Sequence, residues 1–158
     1  MSINPSDFRA IVIDPALFRI STIVPISVVA ANLLMATAAV ESGLGTYLTQ
    51  INGPALGVFQ IDPQSLSGLQ LSLTTSQRDV LAKIATPKPY SVQIETNLLL
   101  AAAICRLFYW QIPAPLPPNT ISGLWSYYKT YYNTSLGSTT QSQFLSALKL
   151  TDLTSLPS

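Results

Sequence analysis

Among the 158 residues, seven are acidic and none is histidine, so the groups able to move a proton near neutral pH are few. Glu41 stands out among them. It ends a long uncharged apolar run, and a Gly-rich turn with Gly43 and Gly45 follows it. A carboxyl at that place meets the negative end of a helix dipole and apolar neighbours. Both favour its protonated form, which makes Glu41 the best candidate for a general acid. Asp62 precedes Pro63, a pairing that reads as a helix cap. Asp79 and Glu95 read as solvated helix-start residues. Cys105 lies in the apolar stretch NLLLAAAICRLFYW and reads as a buried, inert thiol.

The missing histidines exclude Ser-His-Asp and Cys-His catalysis and His-ligated zinc. No Gly-rich phosphate loop is present, and neither a metal nor a cofactor is expected. A net charge of +1 gives no electrostatic case for nucleic acid. Only 9% of the residues are charged, which suits a protein that works inside a larger assembly. Residues 20–40 carry no charge and are numerous enough to span a bilayer. Pro25 and Asn32 interrupt that run, and a buried core helix is the preferred reading. The late position of the run, after Asp7 and Asp14, argues against a signal peptide.

The elements that would hold Glu41 in place are mainly helical. Residues 1–24, with Pro5 and Pro15, read as an N-terminal arm, extended or in short turns packed on the body. Residues 25–149 form one domain, and residues 150–158 form a loosely attached polar tail. The first main helix, 25–41, is capped by Ser27 and stopped by Gly43. A loop or small hairpin over 43–56 and a tight apolar segment over 57–61 come next. Asp62-Pro63 starts a short helix through Leu66. Thr74 with Gln77 fits a capping box for a helix to about residue 86. Helical spacing predicts a second long helix over 91–110, and Pro113, Pro115, Pro117 and Pro118 then make a stiff linker. Residues 120–133 carry Tyr127, Tyr128, Tyr131 and Tyr132, an aromatic band that reads equally as core or as a sugar-binding wall. Thr140 with Gln143 caps a last helix through Leu148.

The order of these motifs resembles the soluble lytic transglycosylases, which share the lysozyme-like fold and cleave peptidoglycan glycan strands. The resemblance rests on Glu41-Ser42 at a helix end, Gly57-Val58-Phe59-Gln60-Ile61 beginning 16 residues later, an Ala-rich helix led by Asn97, and a late Tyr132-Asn133. GPALGVFQIDP and LWSYYKTYYNT look closer still to small phage-encoded proteins of this type, and the likeness covers roughly residues 30–144. Departures from the family pattern are Val58-Phe59 for Leu-Met, Ala101 for Gly, and a late motif without Ala-Gly.

The resemblance implies a mainly α, lysozyme-like domain with Glu41 as catalytic acid and base. It further implies that Ser42, Gln60, Tyr128, Tyr132 and Asn133 bind the sugar, with Ser42 also orienting Glu41 and Tyr132 assisting near the proton path. The expected activity is that of a phage virion-associated lytic transglycosylase cutting the MurNAc-GlcNAc β-1,4 bond during cell-wall penetration. Its partners would be host periplasmic peptidoglycan and other virion proteins. Two alternatives stand beside it: an inactive structural component of the virion that retains the fold, and a membrane-inserted protein using residues 20–40.

Overall fold

The computed structural model describes Met1–Ser158 and is mainly helical, with no β-strand. Its axis is α3 (Val28–Ser42). Ser27 caps that helix by accepting a hydrogen bond from the Ala30 amide, and Gly43 ends it in the left-handed conformation at φ 59°. Every residue from Ala30 to Ala39 is buried, so the helix has no solvent face along its middle. Its polar groups are satisfied internally. The Thr37 hydroxyl donates to the Leu33 carbonyl at 2.7 Å and lies 2.8 Å from the Tyr109 hydroxyl. α7 (Leu98–Trp110), α8 (Ile121–Tyr128) and α9 (Gln141–Leu148) pack around α3. Buried Ala101, Ala102 and Ala103 present only methyl groups, which lets α7 sit close to its neighbours. No helix is long and apolar enough to cross a membrane; the uncharged run from residue 20 turns before α3 begins.

The N-terminal residues are not an extended arm. They form α1 (Pro5–Asp7), a wide π-helical stretch (Phe8–Ile13) and α2 (Asp14–Arg19). Phe8, Val12, Ile13, Ala16 and Leu17 enter the core. Both prolines fit because of where they stand. Pro5 opens the first turn, where its missing N–H costs nothing. Pro15 follows the widened stretch, which makes room for its ring. Arg9 Nε meets Asp14 Oδ1 at 2.6 Å across that stretch, and Arg9 Nη1 donates to Asn32 on α3 at 2.9 Å.

Four other expectations are corrected. The helix foreseen over 91–110 is broken into α6 (Tyr90–Gln93) and α7, because the Asn97 side chain accepts from the Leu100 amide and so starts a new helix. The C-terminal residues are packed rather than loose. Leu153 is buried in the core, and the Ile121 amide of α8 donates to the Pro157 carbonyl at 2.8 Å. Asp62 caps α4 (Pro63–Ser72), which runs further than foreseen. The Thr74–Gln77 capping box starts α5 (Thr75–Ala82), which ends earlier.

Candidate functional site

Gly43 releases the chain from α3 into a loop that returns as a tight turn. The Leu56 and Ile61 amides and carbonyls pair at 3.0 and 2.9 Å, and residues 57–60 close the turn between them. Gly57 has φ 78°, and a Cβ there would stand 2.8 Å from the Ile94 carbonyl, so the backbone needs glycine twice over. The turn sends Val58 and Phe59 fully into the core. Gln60 is left at the surface with φ 48°, its Nε2 donating to the Gly57 carbonyl at 2.9 Å.

Glu41 sits in the last turn of α3, partly screened from water. Burial pushes its carboxyl from 4.5 up to about 7, and a hydrogen bond from Tyr128 opposes part of that rise. The Tyr128 hydroxyl donates to Glu41 Oε1 at 2.7 Å. Burial and then the nearby Glu41 push the Tyr128 phenol up, so it keeps its proton and remains the donor. Glu41 Oε2 has no hydrogen-bond partner within the protein. At neutral pH the carboxyl is therefore shared between acid and base forms, with one oxygen fixed and the other free. The Tyr47 hydroxyl donates to the Glu41 carbonyl at 2.7 Å and fills one of the open acceptors at the helix end.

Tyr128 ends α8, where the chain widens into a π-helical stretch (Lys129–Asn133). Its ring is fully buried and stacks on Tyr132 with centroids 6.0 Å apart. The Tyr132 hydroxyl donates to the Phe59 carbonyl at 2.7 Å, which ties this stretch to the tight turn. Beside Tyr132 opens a surface cleft of about 500 Å³ whose lining includes Gln60, Asp62, Phe108, Gln111 and Tyr131. Glu41 is not among its lining residues and connects to it through the Tyr128–Tyr132 stack.

The expected sugar-binding residues divide in two. Gln60 and Tyr132 line the cleft. Ser42, Tyr128 and Asn133 do not. Ser42 is fully buried; its hydroxyl reaches the Val58 carbonyl at 2.7 Å and accepts from the Gly45 amide at 2.9 Å, so it locks the helix end to the turn and does not touch Glu41. Tyr128 is a positioning residue for Glu41 rather than a wall for sugar. Asn133 accepts from Lys129 Nζ at 2.6 Å and donates to Thr139 at 3.1 Å, bracing the loop before α9. Asp62 spends Oδ1 on the Gln64 and Ser65 amides as a cap. Cys105 is buried and its thiol is pushed up, which leaves it inert. Tyr47 was missed, and no sequence signal marks it; Phe108 in α7 and Gln111 just past its end were passed over because the stretch before them reads as core.

Comparison with protein-family models, curated proteins and solved structures found no match.

Proposed function

We propose that the protein is a phage virion-associated lytic transglycosylase with a lysozyme-like domain, acting on peptidoglycan through Glu41. The observation that carries this reading is the state of that carboxyl: it is held at a helix end, raised to about 7, fixed at Oε1 by Tyr128 and free at Oε2. A group so poised gives up a proton and takes one back near neutral pH. The order of Glu41-Ser42, the 57–61 turn, the Asn97-led helix and Tyr132-Asn133 supports the family assignment.

In this mechanism Glu41 Oε2–H donates to the glycosidic oxygen as the bond to the anomeric carbon breaks. The resulting carboxylate accepts the proton of the muramyl 6-hydroxyl, whose oxygen closes on the anomeric carbon. The product is a 1,6-anhydro sugar, and Glu41 returns to its acid form. Two-carboxylate hydrolysis needs a second acid across the bond. Asp62, the only acid lining the cleft, is held as a helix cap. In this reading Gln60 and Tyr132, which line the cleft, bind the sugar.

A second reading is an inactive structural virion component. It is favoured by the separation of Glu41 from the cleft lining, which suits a carboxyl–tyrosine pair that only braces α3 against α8. Digestion of purified peptidoglycan by wild type and Glu41→Gln, with products weighed by mass spectrometry, tests both. Anhydro-muropeptides from wild type alone support the transglycosylase. Reducing-end products would require a water-activating group, and absence of products from folded wild type favours the structural role.

A further inference from the structure

The far side of α7 holds a cation that nothing in the chain answers. Arg106 is only 3% exposed, and its Nε is buried with no hydrogen-bond partner. The molecule's one ion pair, Arg9–Asp14, lies elsewhere. The guanidinium rests 5.6 Å from the centre of the Trp110 ring. That contact satisfies the face of its plane and leaves Nε at its edge without a partner. Arg106 also lines a pocket of about 380 Å³ with Pro25, Ser27, Leu116 and Tyr127, and no acidic residue takes part. A buried guanidinium is ordinarily matched by an oxyanion, because its desolvation otherwise goes uncompensated.

We propose that this pocket binds the free carboxylate of a short apolar peptide, with Arg106 as the anchor. A guanidinium edge matches two carboxylate oxygens at once. A single cation among proline, aliphatic and aromatic walls suits a monoanion carried on an apolar body. A phosphate dianion would demand a second positive charge, and Arg106 is the only cation lining the pocket. The Ser27 hydroxyl accepts from the Ala30 amide, and its own proton stays available to the ligand. The volume falls within the ordinary range of small-ligand sites, about 300–1,000 Å³. Ile112 lines both this pocket and the Gln60–Tyr132 cleft, but the proposal does not depend on any glycan being bound there.

The chain has two tryptophans, Trp110 and Trp125, so nitrogen-15 NMR gives two indole signals, assigned with Trp110→Phe. The probes are N-acetyl-Ala-Ala with a free carboxylate and its C-terminal amide. The acid is expected to move the Trp110 signal, to leave Trp125 in place, and to bind about tenfold or more tighter than the amide. Arg106→Met should lose that preference while circular dichroism stays helical, and Arg106→Lys should keep part of it. The comparison of acid with amide needs no variant and stands even where Arg106→Met fails to fold. Equal binding of acid and amide would overturn the proposal, as would an unmoved Trp110 signal at millimolar peptide or a preference that survives Arg106→Met. Inorganic phosphate displacing the peptide at equal concentration would overturn the carboxylate assignment.

Discussion

Glu41→Gln is best examined first by thermal unfolding, with no substrate present. Burial lifts the Glu41 carboxyl from 4.5 to about 7. Between those values the native chain holds a proton that the unfolded chain has released, so stability falls as pH rises. The stability is intact below 4.5, declines through the interval and levels off above about 7. At about 1.4 kcal/mol per pH unit, and allowing for the carboxyl's remaining contact with water, the loss amounts to ~2–3 kcal/mol. In a domain of this size about 1 kcal/mol moves Tm by roughly 2–4 °C, so the effect is on the order of 5–10 °C. Glutamine keeps an oxygen for the Tyr128 hydroxyl and carries no charge, so its curve lacks this decline. The chain has no histidine to confuse the interval, and the terminal amine is common to both proteins. The two Tm curves should therefore coincide at about pH 4.5 and part as pH rises, the variant becoming the more stable protein near pH 8. Parallel curves across the whole range would falsify the idea of a raised acid, because Glu41 would then titrate as an ordinary exposed carboxyl.

Tyr128→Phe removes the hydrogen bond that favours the ionised carboxyl, so Glu41 should titrate still higher. The pH at which the gap between the wild-type and Glu41→Gln curves stops growing, remeasured in the Tyr128→Phe background, should move up by about one unit, and an unmoved plateau would deny the bond. Ser42→Ala breaks the tie to the Val58 carbonyl and the Gly45 amide and should cost about 1–3 kcal/mol in urea unfolding. A loss near zero would mean that water replaces the hydroxyl. Gly57→Ala places a Cβ against the Ile94 carbonyl at a strained φ and should cost about 1–3 kcal/mol by the same assay. An unchanged midpoint would show that the turn relaxes away from Ile94 at the end of α6.

Features set by a few adjacent residues were legible. Ser27 and Gly43 bound α3, Asp62-Pro63 starts α4, and Thr74–Gln77 and Thr140–Gln143 box the starts of α5 and α9, since each is a local contest over backbone hydrogen bonds. The N-terminal helices were hidden by Pro5 and Pro15, which read as breakers until a widened turn is allowed. Asn97 was recognised as leading the Ala-rich helix, but its apolar neighbours concealed that it also ends continuity with α6. The mainly helical class was therefore plain in the chain. The site was only half so. Glu41's apolar setting followed from its own segment. The roles of Tyr128 and Tyr132 depend on which hydroxyl reaches α3 and which reaches the turn, 87 and 73 residues away in sequence. Spacing along one helix cannot decide that.

The junction at Gly43 also divides the molecule by its local opening energy. Amides along α3 have no route to solvent short of global unfolding, and should exchange with deuterium most slowly. Just beyond, residues 46–52 are exposed and are joined to the rest by one isolated bridge, Thr49–Leu56, and a few hydrogen bonds such as that from Tyr47 to the Glu41 carbonyl. Their amides should exchange through small excursions that leave α3 untouched. Glu41 thus stands two residues from the boundary, on the immobile side. One flank of the carboxyl is free to breathe while Glu41 and its tyrosine stay in register.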